Sequence, residues 1–190
     1  RAPRTKGELL MLMREERTGL IMVHTGTGKG KTTAALGLAL RGAGYGFQTL
    51  MIQFIKGDRQ YGELGGADML APFLDILPMG KGFIRFDRGG PGEEDRKAVQ
   101  EAWELAKRQM TSGKYDMIVL DEINYVIDYG LLPVEDVLDA LRSRPKSLHV
   151  LLTGRNAHPD LIEAADLVTE MTEVKHPFHK GVKAQKGIEF

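Results

Sequence analysis

Residues 19–40 read GLIMVHTGTGKGKTTAALGLAL, and this stretch decides the fold. Leu20 to Val23 is an apolar run of the kind that forms a buried strand. Glycine then recurs at Gly26, Gly28 and Gly30, followed by Lys31, Thr32 and Thr33 and a segment rich in Ala and Leu. A strand, a glycine-rich loop, Lys-Thr and a helix form the layout of a phosphate-binding loop. Glycines let backbone N–H groups turn inward around phosphate oxygens, and the helix N-terminus adds partial positive charge. In that layout Lys31 reaches the bridging phosphates and the Thr32 hydroxyl ligates Mg²⁺. The general motif places glycine five positions before Gly30; this chain has Thr25 there, and it adds a second lysine, Lys29.

Outward from the loop, the chain alternates apolar runs with helical segments. Strands are expected at Gln48–Ile55, Leu74–Leu77, Met117–Leu120, Leu148–Leu152 and Leu167–Met171. Helices are expected at Glu93–Met110, from Pro133 to about Arg142, and at Pro159–Ala165; 57–66 and 80–92 read as loops. Such alternation implies a mostly parallel α/β sheet with helices on both faces, a RecA-like P-loop NTPase fold. Ligands of such sheets bind at the carboxyl ends of the strands. Trp103 falls on the apolar face of its helix and is expected in the core. Thr5-Lys6-Gly7-Glu8 resembles a capping box opening a short helix through Leu9–Met13. Residues 1–17 read as an arm that packs either on its own domain or on a partner subunit and is a candidate lid over the site, and 18–190 as the nucleotide-binding catalytic domain.

Composition narrows the function. Lys plus Arg and Asp plus Glu both number 26, so net charge is zero, which argues against a nucleic-acid or membrane-surface binder. The chain has no cysteine, which excludes disulfides, cysteine-ligated zinc and thiol catalysis and fits a reducing, cytoplasmic setting. No apolar run approaches the length of a membrane span.

A second nucleotide signal lies about 90 residues after the loop. Met117 to Glu122 reads MIVLDE, an apolar strand ending in two acids, which is the Walker B pattern. Asp121 or Glu122 would then lie opposite the loop, near a metal on Thr32. Lys56 and Arg155 follow strands and should point toward the same phosphate edge. His24 ends the first strand and reads as a packed, hydrogen-bonded residue. The segment from Lys175 to Lys186 interleaves Phe178, Val182 and Ile188 with basic residues and looks capable of folding against the domain.

Several blocks together resemble one family. TGTGKGKTTAALGLALRGAG, QFIKG, MGKGF, YDMIVLDEINY, LLTGRNAHPDLIEAADLVTEM and VKHPFHKGVKAQKGIEF are similar to the corrinoid adenosyltransferases of the P-loop type. The likeness spans Gly19 to Phe190, and Thr25 is what this family's loop carries. It implies that the adenosyl group of ATP moves to the cobalt of a reduced Co(I) corrinoid, with release of inorganic triphosphate. It further implies ATP bound in the reverse sense to ordinary P-loop ATPases, Mg²⁺ or Mn²⁺, a homodimer and a flavoprotein electron donor. The implied nucleotide contacts are Thr25, Gly26, Thr27, Gly28, Lys29, Gly30, Lys31, Thr32, Thr33 and Arg155, and the implied metal residues are Thr32, Glu122 and Asp121. Phe83 matches an aromatic on the lower face of the corrinoid; Arg85 stands where the family has a second one, with Phe86 next to it. The residues read without the family leave two alternatives, a P-loop ATPase or kinase that releases ADP and a non-catalytic ATP-responsive module.

Overall fold

Why the strands are nearly unbroken apolar runs is plain from the computed structural model, which describes residues 17–57, 61–82 and 90–189. Helices cover both faces of the sheet, so alternation of polar and apolar residues would leave polar groups buried. The strands are β1 (Ile21–Thr25), β2 (Thr49–Gln53), β3 (Leu74–Pro78), β4 (Met117–Asp121), β5 (His149–Thr153) and β6 (Leu167–Glu170). The helices are α1 (Lys31–Gly44), α2 (Gly62–Leu70), α3 (Glu93–Thr111), α4 (Ile123–Asp128), α5 (Val134–Ser143) and α6 (Pro159–Ala164). All strand pairs are parallel, in the order β3-β2-β4-β5-β1-β6. The expected α/β architecture is present, and β5 separates the strand that feeds the glycine loop from the strand that ends in the two acids.

Side-chain parity sorts the core into two layers. Met22, Met51, Val119 and Leu151 face α1 and α2, where Ala35, Ala39 and Ala67 allow close approach. Val23, Leu50, Ile52, Leu120 and Leu152 face the other layer, which contains Trp103, Val137, Leu141 and Leu161. Trp103 is a core residue, 1% exposed.

Three expectations need correction or fall elsewhere. The stretch 57–66 is not all loop, because α2 begins at Gly62 despite Gly65 and Gly66; docking of Ala67 in the α1 layer overrides the low helix propensity of glycine. The C-terminal stretch does not bury its apolar side chains: Val174 is 93%, Phe178 72% and Ile188 78% exposed. The Leu9–Met13 helix, Phe83, Arg85 and Phe86 lie outside the described residues. Among the described residues no helix is long and apolar enough to cross a membrane.

Candidate nucleotide and metal site

The glycine loop sits at the carboxyl ends of β1, β5 and β4, the edge at which open α/β sheets bind ligands. Gly26 (φ 95°) and Gly30 (φ 112°) take left-handed conformations that L side chains avoid. Gly28 is demanded by a close approach instead: a Cβ there would lie 2.8 Å from the Met171 carbonyl oxygen, which accepts the Gly28 N–H at 2.6 Å. Thr25 is the last residue of β1, immediately before the loop, and its Oγ1 accepts the Ala157 N–H at 3.2 Å, tying β1 to the chain after β5. A glycine at this position would lose that tie.

Lys31 is the first residue of α1 and is 8% exposed. Its ammonium donates to the carbonyls of Gly26 (2.8 Å) and Gly28 (2.6 Å), so the loop holds a cation at its own centre. Burial lowers its pKa, the Glu122 charge raises it, and Arg155 lowers it further, with a net fall. Lys29 points elsewhere, pairing with Glu189 near the end of the chain. Thr27 and Thr33 are exposed on the loop and on α1. His24 is buried, and its Nδ1 lies 3.5 Å from the Lys31 carbonyl, in keeping with a packed role.

Asp121 closes β4 with no exposure, and its carboxylate collects donors. Thr32 Oγ1 donates to Oδ1 at 2.8 Å, Thr153 Oγ1 to the same oxygen at 2.7 Å, and Gln53 Nε2 to Oδ2 at 3.3 Å. Thr153 in turn accepts the Glu122 N–H at 2.9 Å. Glu122 follows in a left-handed conformation (φ 67°), which turns its side chain out of the strand pattern. Its Oε2 is buried with no hydrogen-bond partner. Desolvation, then repulsion from Asp121, pushes its pKa up to about 7 against the pull of Lys31, Lys56 and Arg155. Arg155 is exposed but close enough to influence both Lys31 and Glu122.

The structure thus brings Lys31, Thr32, Asp121, Glu122 and Arg155 to one edge. Among the described residues no three His, Asp or Glu side chains are grouped to hold a metal unaided. Hard oxygens from Thr32 and the acid pair, with an unpartnered carboxylate oxygen on Glu122, fit Mg²⁺, which takes one or two protein ligands and completes its shell with water and phosphate. A cavity of about 480 Å³ between α3 and α5, lined by Trp103, Lys107, Asp139 and Arg144, contains none of these residues.

Sequence reasoning missed Gln53 and Glu63. Gln53 is buried and bonded to both Asp121 and Glu63. A polar residue closing an otherwise apolar strand was the available signal for Gln53; Glu63 gave none, because it reaches the edge only through α2.

Fold and edge together define a P-loop nucleotide-binding protein of the α/β class. The sequence profile of the ATP:corrinoid adenosyltransferases BtuR/CobO/CobP matches residues 17–190, so the chain belongs to that family. The corrinoid adenosyltransferase of Escherichia coli K12 is 42% identical over 177 residues, which cover 93% of this chain and 88% of that protein. The corrinoid adenosyltransferase CobA of Salmonella typhimurium LT2 is similar at 42% over the same shares. That of Pseudomonas aeruginosa PAO1 is 40% identical over 96% of this chain and 89% of its own length. Among solved structures, domain III of the Thermotoga maritima replication initiation protein DnaA is similar at TM-score 0.35 and 13% identity, covering 86% of this chain and 59% of that one; a likeness that loose says nothing about function.

Proposed function

We propose that this corrinoid adenosyltransferase carries out a displacement at C5′ of ATP, with Lys31, Thr32, Asp121 and Glu122 serving the triphosphate and its metal. The substrate's Co(I) centre supplies an electron pair to C5′ and a cobalt–carbon bond forms. The C5′–oxygen bond breaks, and inorganic triphosphate leaves with that bond's electrons. Cobalt passes formally from the +1 to the +3 state, so no external oxidant is needed at this step.

The observation that carries this reading is the pairing of a cation held at the loop's centre with an acid edge that has an unused oxygen. The leaving group is an entire triphosphate, so charge must be neutralised along its length. The Lys31 ammonium, already placed by two loop carbonyls, exchanges those partners for phosphate oxygens. Loop N–H groups and the start of α1 add donors and partial positive charge. Arg155 supplies a further cation at the rim, and Lys29 would add another on release from Glu189. Preorganised charge of this kind stabilises the departing anion without reorganisation.

Thr32 and Glu122 would hold Mg²⁺ or Mn²⁺, with Asp121 orienting Thr32; bound there, the ion neutralises phosphate charge. Glu122 acts as ligand and not as base, because the nucleophile is cobalt and no water has to be deprotonated. On the corrinoid side, Phe83, with Arg85 and Phe86 beside it, would keep the cobalt free of a lower ligand and so ease Co(II) reduction. Residues 1–17 would serve as a lid that excludes water. A homodimer, a flavoprotein reductant and a cytoplasmic setting complete the reading.

Product analysis tests it. With ATP and chemically reduced corrinoid, one triphosphate should appear per cobalt–carbon bond formed; release of ADP instead would contradict it. For the corrinoid side, Phe83→Ala should slow adenosylation from Co(II) far more than from pre-reduced Co(I), and equal losses from both would refute the aromatic wall.

A further inference from the structure

Next to the Thr32–Asp121 pair lies a set of charges that the proposed displacement leaves unused. Gln53 ends β2, the neighbour of β4, and is wholly buried. Its Nε2 lies 3.3 Å from Glu63 Oε1 and 3.3 Å from Asp121 Oδ2. Two carboxylates fix the amide in that orientation, because the flipped amide would set oxygen against oxygen. Gln53 Oε1 is thereby left buried without a partner. Like Glu122 Oε2, it is an acceptor with room for a donor that the protein does not provide, and water carried on a bound cation is such a donor.

Lys56 stands over the same spot. Its Nζ is 2.6 Å from Glu63 Oε1, 4.0 Å from Asp121 Oδ2, and 5.0 Å from the centroid of the Tyr61 ring. The side chain is 22% exposed, so Lys56 is not sealed into the core. An ammonium has three donors, and Glu63 accepts one. Glu63 comes from the first turn of α2. Burial alone would raise its pKa, but the Lys56 hydrogen bond, its backbone N–H, the Lys56 charge and Gln53 outweigh burial and hold it below the usual range.

We propose that Lys56 is a further triphosphate-binding residue on the β2 side of the edge, and that Glu63 is a positioning residue that holds Lys56 off Asp121. The proposal rests on the reading of this edge as the metal–ATP site. Without Glu63, Asp121 is the nearest anion to Lys56 among the described residues. A direct Lys56–Asp121 pair would tie up the carboxylate that orients Thr32 and set a fixed cation where a metal must sit. With Glu63 in place, the ammonium is held 4.0 Å from Asp121, and Glu63 takes only one of its three donors. A reaction that expels a whole triphosphate uses a cation beyond those of the loop, at the opposite flank from Lys31.

Titration calorimetry of the full chain with inorganic triphosphate, with and without Mg²⁺, tests this. Lys56→Met should weaken triphosphate binding about tenfold, the size of one charge-assisted hydrogen bond, and Lys56→Arg should recover most of it. Glu63→Gln should shrink the Mg²⁺ enhancement of binding, because Lys56 then moves onto Asp121. The double variant K56M/E63Q should recover the Mg²⁺ enhancement while binding stays weak, a pattern that a merely structural defect in E63Q would not produce. Binding by K56M within twofold of the parent, or no recovery in the double variant, would overturn the proposal. Lys31→Ala is the control: if it too binds triphosphate normally, the nucleotide reading of the edge is at fault, whereas loss in K31A with no loss in K56M sinks only the role of Lys56.

Discussion

Buried charge sits at both ends of this sheet, but it is handled in opposite ways. At the amino end, Asp116 precedes β4 and is 4% exposed. It accepts the Arg17 guanidinium at 2.6 Å and the Gln48 N–H at 2.8 Å. Arg17 has two nitrogens without hydrogen-bond partners, Nε and Nη1, but its guanidinium lies 4.4 Å over the Phe47 ring, which stacks on His149 at 5.9 Å. At that end both charges find their counterion within the protein, although the two Arg17 nitrogens and Thr49 Oγ1 make no hydrogen bond. At the carboxyl end, Glu122 Oε2 and Gln53 Oε1 are buried acceptors with nothing to accept from. A buried acceptor left unpaired costs about 1–3 kcal/mol. On the function proposed above, the contrast separates charge that holds a fold together from charge arranged for a ligand.

Single substitutions at the two ends should have opposite consequences. The largest effect on function belongs to the carboxyl end. Lys31→Ala removes the central cation and should lower turnover by about 10²-fold or more, while thermal stability and corrinoid binding stay close to the parent. Steady-state kinetics and a melting curve check it, and activity within a few-fold of the parent would contradict the loop assignment.

Asp116→Ala should do the reverse. Losing one partner of a buried ion pair costs about 3 kcal/mol, so the melting temperature should fall markedly. Activity per folded molecule should hold. A stable variant with impaired turnover would mean that the two ends are not separable.

Glu122→Gln should stabilise the metal-free protein while abolishing Mg²⁺-dependent ATP binding. The sign follows from linkage. The native pKa of Glu122 is raised to about 7 from an ordinary 4.5, so below 4.5 the carboxyl is protonated in both states and contributes no penalty. As pH rises toward 7 the unfolded chain loses its proton more readily than the folded one, and native stability falls. The gain in the glutamine variant should therefore be absent at pH 4, grow between pH 4.5 and 7, and level off above at about 1–3 kcal/mol. Denaturant titrations in a chelator at several pH values measure it; a gain independent of pH would show that ionisation is not its source.

The smallest effect expected is at Thr25. Thr25→Val keeps the volume and the β-branch but loses the acceptor for the Ala157 N–H. It should cost about 1 kcal/mol of stability and leave ATP affinity within a few-fold, because the Thr25 hydroxyl is already committed to the Ala157 N–H.

The sequence made the carboxyl end legible because its parts are local patterns. An apolar run, a glycine loop and Lys31-Thr32 lie contiguous, and MIVLDE announces its own strand end. Parallel topology then dictates that Thr32 and Asp121 meet, and they do, at 2.8 Å. The amino end gave no such signal, since Arg17, Phe47, Asp116 and His149 are scattered along the chain and come together only through strand order. Helix α2 was hidden by Gly62, Gly65 and Gly66, whose low propensity is overridden by the packing of Ala67, and with it went Glu63 and the restraint on Lys56. The short helix α4 (Ile123–Asp128) was missed because six residues carry too little periodicity to register.

On the function proposed above, the unpartnered oxygen of Glu122 waits for a metal carried by ATP. A structure of the complex with Mg²⁺ and a non-reactive ATP analogue tests it most directly. Thr32 Oγ1 should lie about 2.1 Å from the ion, with Glu122 either at the same distance or at about 4 Å through one water. A metal–ATP complex in which the Glu122 carboxylate stands more than about 8 Å from the ion, beyond the reach of a single bridging water, would contradict it.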